Sequence, residues 1–341
     1  MSNQPPQLQL NGIYRGKPWS GALPRGLVGF IWRVSAWDQL WLSLLSIIVF
    51  VLSTAPLELQ RRIVNDAFAH GALREILWLS AAYAGVALAE GAVKLLLNIY
   101  RGWTSENAVR MLRFAIHALI NQLPGQGRDT ALEGVEVSLI LAETEPVGGF
   151  VGTSLSEPVL QGGVLLAVFG YMVYLQPLMA LLCFLLFAPQ LVIVPLMQAA
   201  INRRAQSRIR VLRAVSGALL DDNHREPGPA ASQRGRIGQV FTLNMGIYKL
   251  KFSMNFLMNL LHHLGIAGVL ALGGYYVVEG SIELGTVVAF LAGLAKINDP
   301  WGELVNWSRD AMVTHVKYRL IADAVSGLER SVQTAPAAAA G

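Results

Sequence analysis

The sequence predicts an all-α membrane protein with six transmembrane helices and long cytoplasmic helical extensions. Three observations predict it. Hydrophobic residues make up 53% of the 341-residue chain and charged residues 14%, against about 25% charged in an ordinary soluble domain. Six runs close to the length of a bilayer crossing carry almost no charge. Two long connections between those runs match in length to within one residue and hold much of the basic charge.

The elements follow in order. Residues 1–39 form a cytoplasmic N-terminal segment without the apolar core of a cleavable signal peptide. Within it GLVGFIWRVSAWDQLW is amphipathic and aromatic, and Trp32, Trp37 and Trp41 suit a helix lying at the membrane interface. The spans are Leu40–Leu57, Ile76–Asn98, Leu155–Tyr174, Leu178–Gln198, Phe256–Val278 and Ile282–Trp301. The last carries Glu283, Lys296 and Asp299 and is the least apolar. Only the turn at Gln176-Pro177 separates the third from the fourth, which makes them an antiparallel hairpin. A helical membrane region thus occupies 40–330, and 331–341 is a low-complexity Ala/Pro-rich tail predicted to be disordered.

With six spans, the long connections 99–154 and 199–255 lie on the same side as both termini. Segment 199–255 contains Arg203, Arg204, Arg208, Arg210, Arg213, Arg225, Arg234, Arg236, Lys249 and Lys251, whereas 175–177 and 279–281 contain no Lys or Arg. That bias places both termini and both long connections in the cytoplasm. Arg61, Arg62 and Arg74 in the first outside connection run against it. Within the long connections, WTSENAVRMLRFAIHALINQL and INRRAQSRIRVLRAVSGALLDDN keep helical apolar spacing until Pro124-Gly125 and Pro227-Gly228-Pro229. The spans are therefore expected to continue as helical hairpins about 30–40 Å beyond the bilayer, at 1.5 Å per residue. The competing reading is amphipathic helices lying on anionic lipid.

Several chemistries are excluded. Cys183 is the sole cysteine, so there is no intramolecular disulfide, CxxC pair or Cys-rich zinc site. A P-loop needs Gly-x-x-x-x-Gly-Lys-Ser/Thr, and the only Gly-Lys pair is Gly16-Lys17, followed by Pro18. His224-Arg225-Glu226 lacks zincin spacing, and Gly152-Thr153-Ser154-Leu155-Ser156 lacks the closing glycine of a nucleophile elbow. Adjacent His262 and His263 point about 100° apart on a helix and make no two-ligand face. The net charge of +5 reports sidedness and has no bearing on nucleic acid.

Polar groups inside spans are candidates for function. Glu90 and Lys94 have the spacing of an intrahelical pair. Lys296 and Asp299 either face a path or snorkel to the interface. Gln161, Asn255, Asn259 and His262 either line a path or bond between helices. Gly162-Gly163 and Gly273-Gly274 suit close helix contact, and Pro189 and Pro195 are expected to kink the fourth span.

Over about residues 27–325 the sequence resembles the six-helix transmembrane domain of ABC exporters of the type I (type IV transporter) fold. The resemblance rests on PLELQRRIVNDAF after the first span, on SENAVRMLRFAIHALINQLP, and on GTVVAFLAGLAKINDPWGELVNWSRDAMVTHVKYRLI with its Asp-Pro-Trp step. It implies coupling segments that dock on nucleotide-binding domains, near Glu106–Ala115 and Arg208–Ser216. Glu106, Arg110, Arg113, Arg208, Arg210 and Arg213 would carry that docking; a solvated or lipid-facing basic surface is the plain alternative. Lys296, Asp299, Gln161, Asn259 and His262 become candidates for the translocation path. No nucleotide-binding domain follows, so the chain is not expected to hydrolyse ATP. The implied partners are a separate ATPase subunit carrying ATP and Mg, a second transmembrane subunit and the bilayer, with no catalytic residue, metal or cofactor in this chain. The resemblance implies alternating-access transport at the inner membrane of a bacterium. A transport-inactive scaffold or sensor that keeps the fold is the second reading.

Overall fold

The computed structural model describes residues 23–24, 26–68, 73–120, 130–221 and 230–338. Gly16-Lys17, Pro124-Gly125, His224-Arg225-Glu226, Pro227-Gly228-Pro229 and the last three residues of the tail lie outside them. The described residues are almost entirely helical and include no strand. In chain order the helices are α1 (Leu27–Arg62), α2 (Leu73–Ile120), α3 (Thr130–Thr153), α4 (Ser156–Leu175), α5 (Pro177–Asp221), α6 (Ala230–Val278) and α7 (Leu284–Ala338); a π-helical stretch, Ile63–Phe68, continues α1. Helices α3 and α4 are two halves of one pass, separated by the turn at Ser154-Leu155.

Five helical stretches are long and apolar enough to cross a membrane: Leu27–Asn65, Leu73–His117, Ala142–Leu175, Pro177–Leu212 and Arg234–Val278. The protein is an integral membrane protein on that basis. The stretch expected as the sixth span begins α7, and its apolar run is interrupted by Lys296, Asn298 and Asp299. The continuation of α2, α5 and α6 far past their apolar cores bears out the helical reading of the long connections.

Two turns have clear local causes. Pro177 opens α5, where its missing N–H costs nothing and its fixed φ suits the first helical turn. At the end of α6, Gly280 takes φ +76°, and the Ser281 N–H reaches back to the Tyr276 carbonyl at 2.9 Å. Only glycine enters that left-handed conformation without a Cβ penalty. Helix α1 bends at Ser35, whose φ is −141°. Its hydroxyl donates to the Ile31 carbonyl at 2.9 Å. By contrast, α5 runs unbroken through Pro189 and Pro195.

The chain divides into two compact units. The first takes Met1–Phe50, Ala89–Gly163 and Asn306–Gly341; the second takes Val51–Leu88 and Val164–Val305. The first unit has a core like that of a soluble bundle. Leu27, Phe30 and Ile31 of α1 pack with Ala108, Leu112 and Ile116 of α2, Val147, Phe150 and Val151 of α3, and Tyr318, Ile321 and Val325 of α7. Each set repeats at three- and four-residue spacing, which turns one helix face inward. Phe30 lies 5.1 Å from Tyr318, centroid to centroid. Fully burying a side chain of this size contributes roughly 1.5–3 kcal/mol. The Tyr318 hydroxyl donates to the Pro24 carbonyl at 2.6 Å, and burial pushes its phenol pKa upward.

In the second unit, Met179, Cys183 and Phe187 of α5 are buried. Phe187 meets Phe169 at 5.6 Å and Trp301 at 6.2 Å. Small residues permit close approach: a Cβ on Gly273 would lie 2.9 Å from Met179 and from Val287. Many apolar side chains stay exposed, including Leu77, Trp78, Leu88, Leu95 and Leu96 on α2. On a membrane protein such a surface is what lipid or a second subunit covers.

Candidate functional site

In the first unit, α2 carries the expected first coupling segment on its descending limb, away from any reversal of the chain. The helix stays unbroken to Ile120, and residues 121–129 lie outside the described residues. The reason is visible in the packing. Ala108, Val109, Leu112 and Ala115 are core residues, so this segment is held by its apolar face. Glu106 is exposed. Arg110 donates to Asn107 Oδ1 within its own helix. Arg113 is half-exposed, 3.7 Å from Glu145 of α3. Lys317 of α7 lies 2.7 Å from Glu143.

The second expected segment has the same character. Helix α5 continues to Asp221, and residues 222–229 lie outside the described residues. Arginines join α5 to α6. Arg204 donates to the Gly246 carbonyl at 2.8 Å, Arg208 to Asn244 Oδ1 at 3.2 Å, and Arg236 of α6 to the Ala214 carbonyl at 3.3 Å. Arg208 is therefore engaged inside the hairpin. Arg210 is exposed and bonds to Ser207 of its own helix at 3.1 Å. The Arg213 side chain is outside the described set.

Among the path candidates, Gln161 donates to Glu157 Oε1 at 2.7 Å. Glu157 in turn pairs with Arg101, Nη1 to Oε2 at 2.6 Å, and Arg101 Nε donates to Ser156 Oγ at 2.8 Å. Both charged side chains are largely buried. Gly152 lets α3 approach here, since a Cβ would fall 2.3 Å from the Arg101 carbonyl oxygen. This polar network ties α2 to α4 and was missed in the sequence. Its signal was there: opposite charges stand at facing ends of successive antiparallel spans.

In the second unit, half-buried Lys296 donates to the carbonyl of buried Ser53 of α1. Asp299 and Asn259 are exposed. His262 borders a small cavity of about 10 Å³ with Gln190, Cys183 and Asn298, room for about one water molecule. Glu90 is half-buried and Lys94 exposed, and no ion pair joins them among the described residues.

The end of this unit where α1 meets the start of α7 holds a second cluster missed in the sequence. Glu58 accepts from Arg61 at 2.8 and 2.9 Å, from Arg62 at 2.7 Å and from the Tyr171 hydroxyl at 2.7 Å. Asn65 accepts from the Gly285 N–H at 2.6 Å and donates to Glu283. These bonds join α1, α4 and the start of α7. Each cluster can hold the helices it joins in one register. No group of three or more His, Cys, Asp or Glu side chains that could hold a metal ion occurs among the described residues.

A family model described as the ABC transporter transmembrane region matches residues 40–222. Proteins called "Fatty acid ABC transporter ATP-binding/permease protein" from Mycobacterium bovis and Mycobacterium tuberculosis are each 26% identical over 240 residues, 66% of this chain. The chain covers 36% of the length of each of these relatives.

Proposed function

Because the chain belongs to the family of ABC transporter transmembrane regions, we propose that it is the membrane-spanning half of an ATP-driven transporter whose ATPase is a separate subunit. One observation carries the reading. Helices α2, α5 and α6 continue well past their apolar cores as stabilised hairpin limbs. Such limbs transmit force from a soluble engine. Two copies, or this chain and a related one, would form the full membrane pathway in a bacterial inner membrane, with both termini cytoplasmic.

In this mechanism, closure of ATP- and Mg-loaded partner subunits draws the reaches together, and the cavity opens outward. The exposed faces of the limbs, with Glu106, Arg113 and Arg210, meet the partner. Guanidinium groups there suit fork-type bonds to carboxylates. For the cargo we carry over the class stated in the relatives' name, fatty acids. Gln161, Lys296, Asp299, Asn259 and His262 remain the path candidates.

The test is co-purification with candidate ATPase subunits, followed by ATP hydrolysis in a bilayer. Association with stimulated hydrolysis supports the reading. Arg113→Glu with Arg210→Glu should weaken association several-fold. Failure of every candidate ATPase to associate or be stimulated would sink it and favour a scaffold.

A further inference from the structure

The first unit contains a cleft of about 530 Å³ that the transport reading does not use. That volume falls within the roughly 300–1,000 Å³ of ordinary small-molecule sites. One wall is the segment of α1 before the Ser35 bend, the opposite wall is α7 around Ala311, and the floor is the α3–α4 turn. We infer that this cleft binds one long hydrocarbon chain bearing an anionic head group.

The lining decides the chemistry. It is almost wholly apolar, with Ile31, Phe150 and Trp307 deep and Val28, Trp32 and Met312 exposed at the mouth. The few polar atoms at the floor already have partners. Gln39 Nε2 donates to the Val151 carbonyl at 2.7 Å and to Ser35 Oγ at 3.1 Å. Ser154 donates to the Val151 carbonyl at 2.9 Å, and Trp307 Nε1 donates to the Ser154 carbonyl at 3.1 Å. A polar occupant would find no bond there and would lose its hydration. An alkyl chain loses nothing.

The mouth decides the orientation. Among the described residues that line the cleft, His315 is the one ionisable side chain, and it is exposed. Its ring N–H can donate to a carboxylate or a phosphate. Trp32 at the mouth, with Trp37 and Trp41 further along α1, is exposed by 48%, 77% and 56%. Aromatic side chains exposed at the start of a membrane span lie at head-group depth, where acyl chains are within reach. A free fatty acid and an anionic phospholipid share the required chemistry. Binding here is independent of ATP-driven transport, so either idea can fail alone.

The experiment uses the full chain in lipid nanodiscs with three photoreactive probes: a diazirine palmitic acid, a phosphatidylglycerol carrying the same acyl chain, and a diazirine hexadecanol. Adducts are mapped by mass spectrometry. The expected result is adducts within residues 27–39 and 307–315, competed by unlabelled probe. Palmitic acid adducts identify the free acid as a source. Adducts from the phosphatidylglycerol probe alone identify the bilayer. Ala311→Trp fills the cleft, and Met312→Trp narrows its mouth from an exposed position. Displacing two methylenes from an apolar pocket lowers affinity about tenfold, so either variant should cut these adducts by that order. Met312→Trp alters no buried contact and decides the matter if Ala311→Trp misfolds. His315→Leu should reduce both anionic probes by about threefold to tenfold and leave hexadecanol unchanged. Adducts spread over exposed α2 and α6 with none in the cleft, or cleft adducts unchanged in both tryptophan variants, overturn the site. Equal effects of His315→Leu on all three probes overturn the anionic head group.

Discussion

Arg101 Nη1 lies 2.6 Å from Glu157 Oε2, with the two side chains only 12% and 14% exposed. The pair ties the long limb of α2 to the start of α4 in the first unit. Removing one partner leaves the other charge buried and uncompensated, which costs about 3–5 kcal/mol. Arg101→Met and Glu157→Leu should each lower the unfolding temperature of the solubilised protein sharply. The double variant should recover most of the loss, because two apolar groups need no partner. Additive losses in the double variant would show that the pair does not act as a unit.

The glycine pairs separate into positions that need glycine and positions that do not. A Cβ on Gly163 would lie 2.2 Å from the Phe50 ring, whereas Gly162 has open space. Gly163→Ala forces the ring aside and should cost about 1–3 kcal/mol. Gly162→Ala should be neutral, or stabilise by up to about 1 kcal/mol through helix propensity. Thermal unfolding of the two single variants checks this order, and equal shifts would contradict it.

The fold was legible wherever apolar spacing spoke for itself. The expected helix in the first long connection is present because Ala108, Leu112 and Ile116 recur on one helix face and share a core with Tyr318, Ile321 and Val325 of α7. The candidate residues were less legible. Arg208 read as a docking group, yet it reaches across to Asn244, thirty-six positions later. Spacing along one helix reveals which residues share a face; it does not reveal which neighbour that face meets. The Glu58 cluster shows the same limit. Arg61 and Arg62 ran against the charge bias in the sequence, and their partner Glu58 lies on the same turn, with Tyr171 joining from α4.

Orientation can be read from cysteine accessibility. Cys183 is buried, so the parent protein should not react with an impermeant maleimide. Ser281→Cys, exposed in the α6–α7 turn, should label in intact cells. Thr242→Cys, exposed on the α6 limb, should label only after permeabilisation. The reverse pattern would invert the assigned sides.

Asn65 offers a test of the Glu58–Asn65 cluster that separates hydrogen bonding from bulk. It is 8% exposed, accepts from the Gly285 N–H and donates to Glu283. Asn65→Ala strands the buried N–H, a loss of about 1–3 kcal/mol. Asn65→Asp keeps the acceptor for Gly285 but turns the donor toward Glu283 into a second carboxylate oxygen, so the two acidic groups repel. Both variants should unfold at lower temperature than the parent. Adding Glu283→Gln to Asn65→Asp supplies an amide donor on the opposite side and reverses the direction of the bond. That double variant should regain stability, whereas Asn65→Ala with Glu283→Gln should not. If Glu283→Gln rescues neither or both, the Asn65–Glu283 bond does not hold the end of α1 against α7.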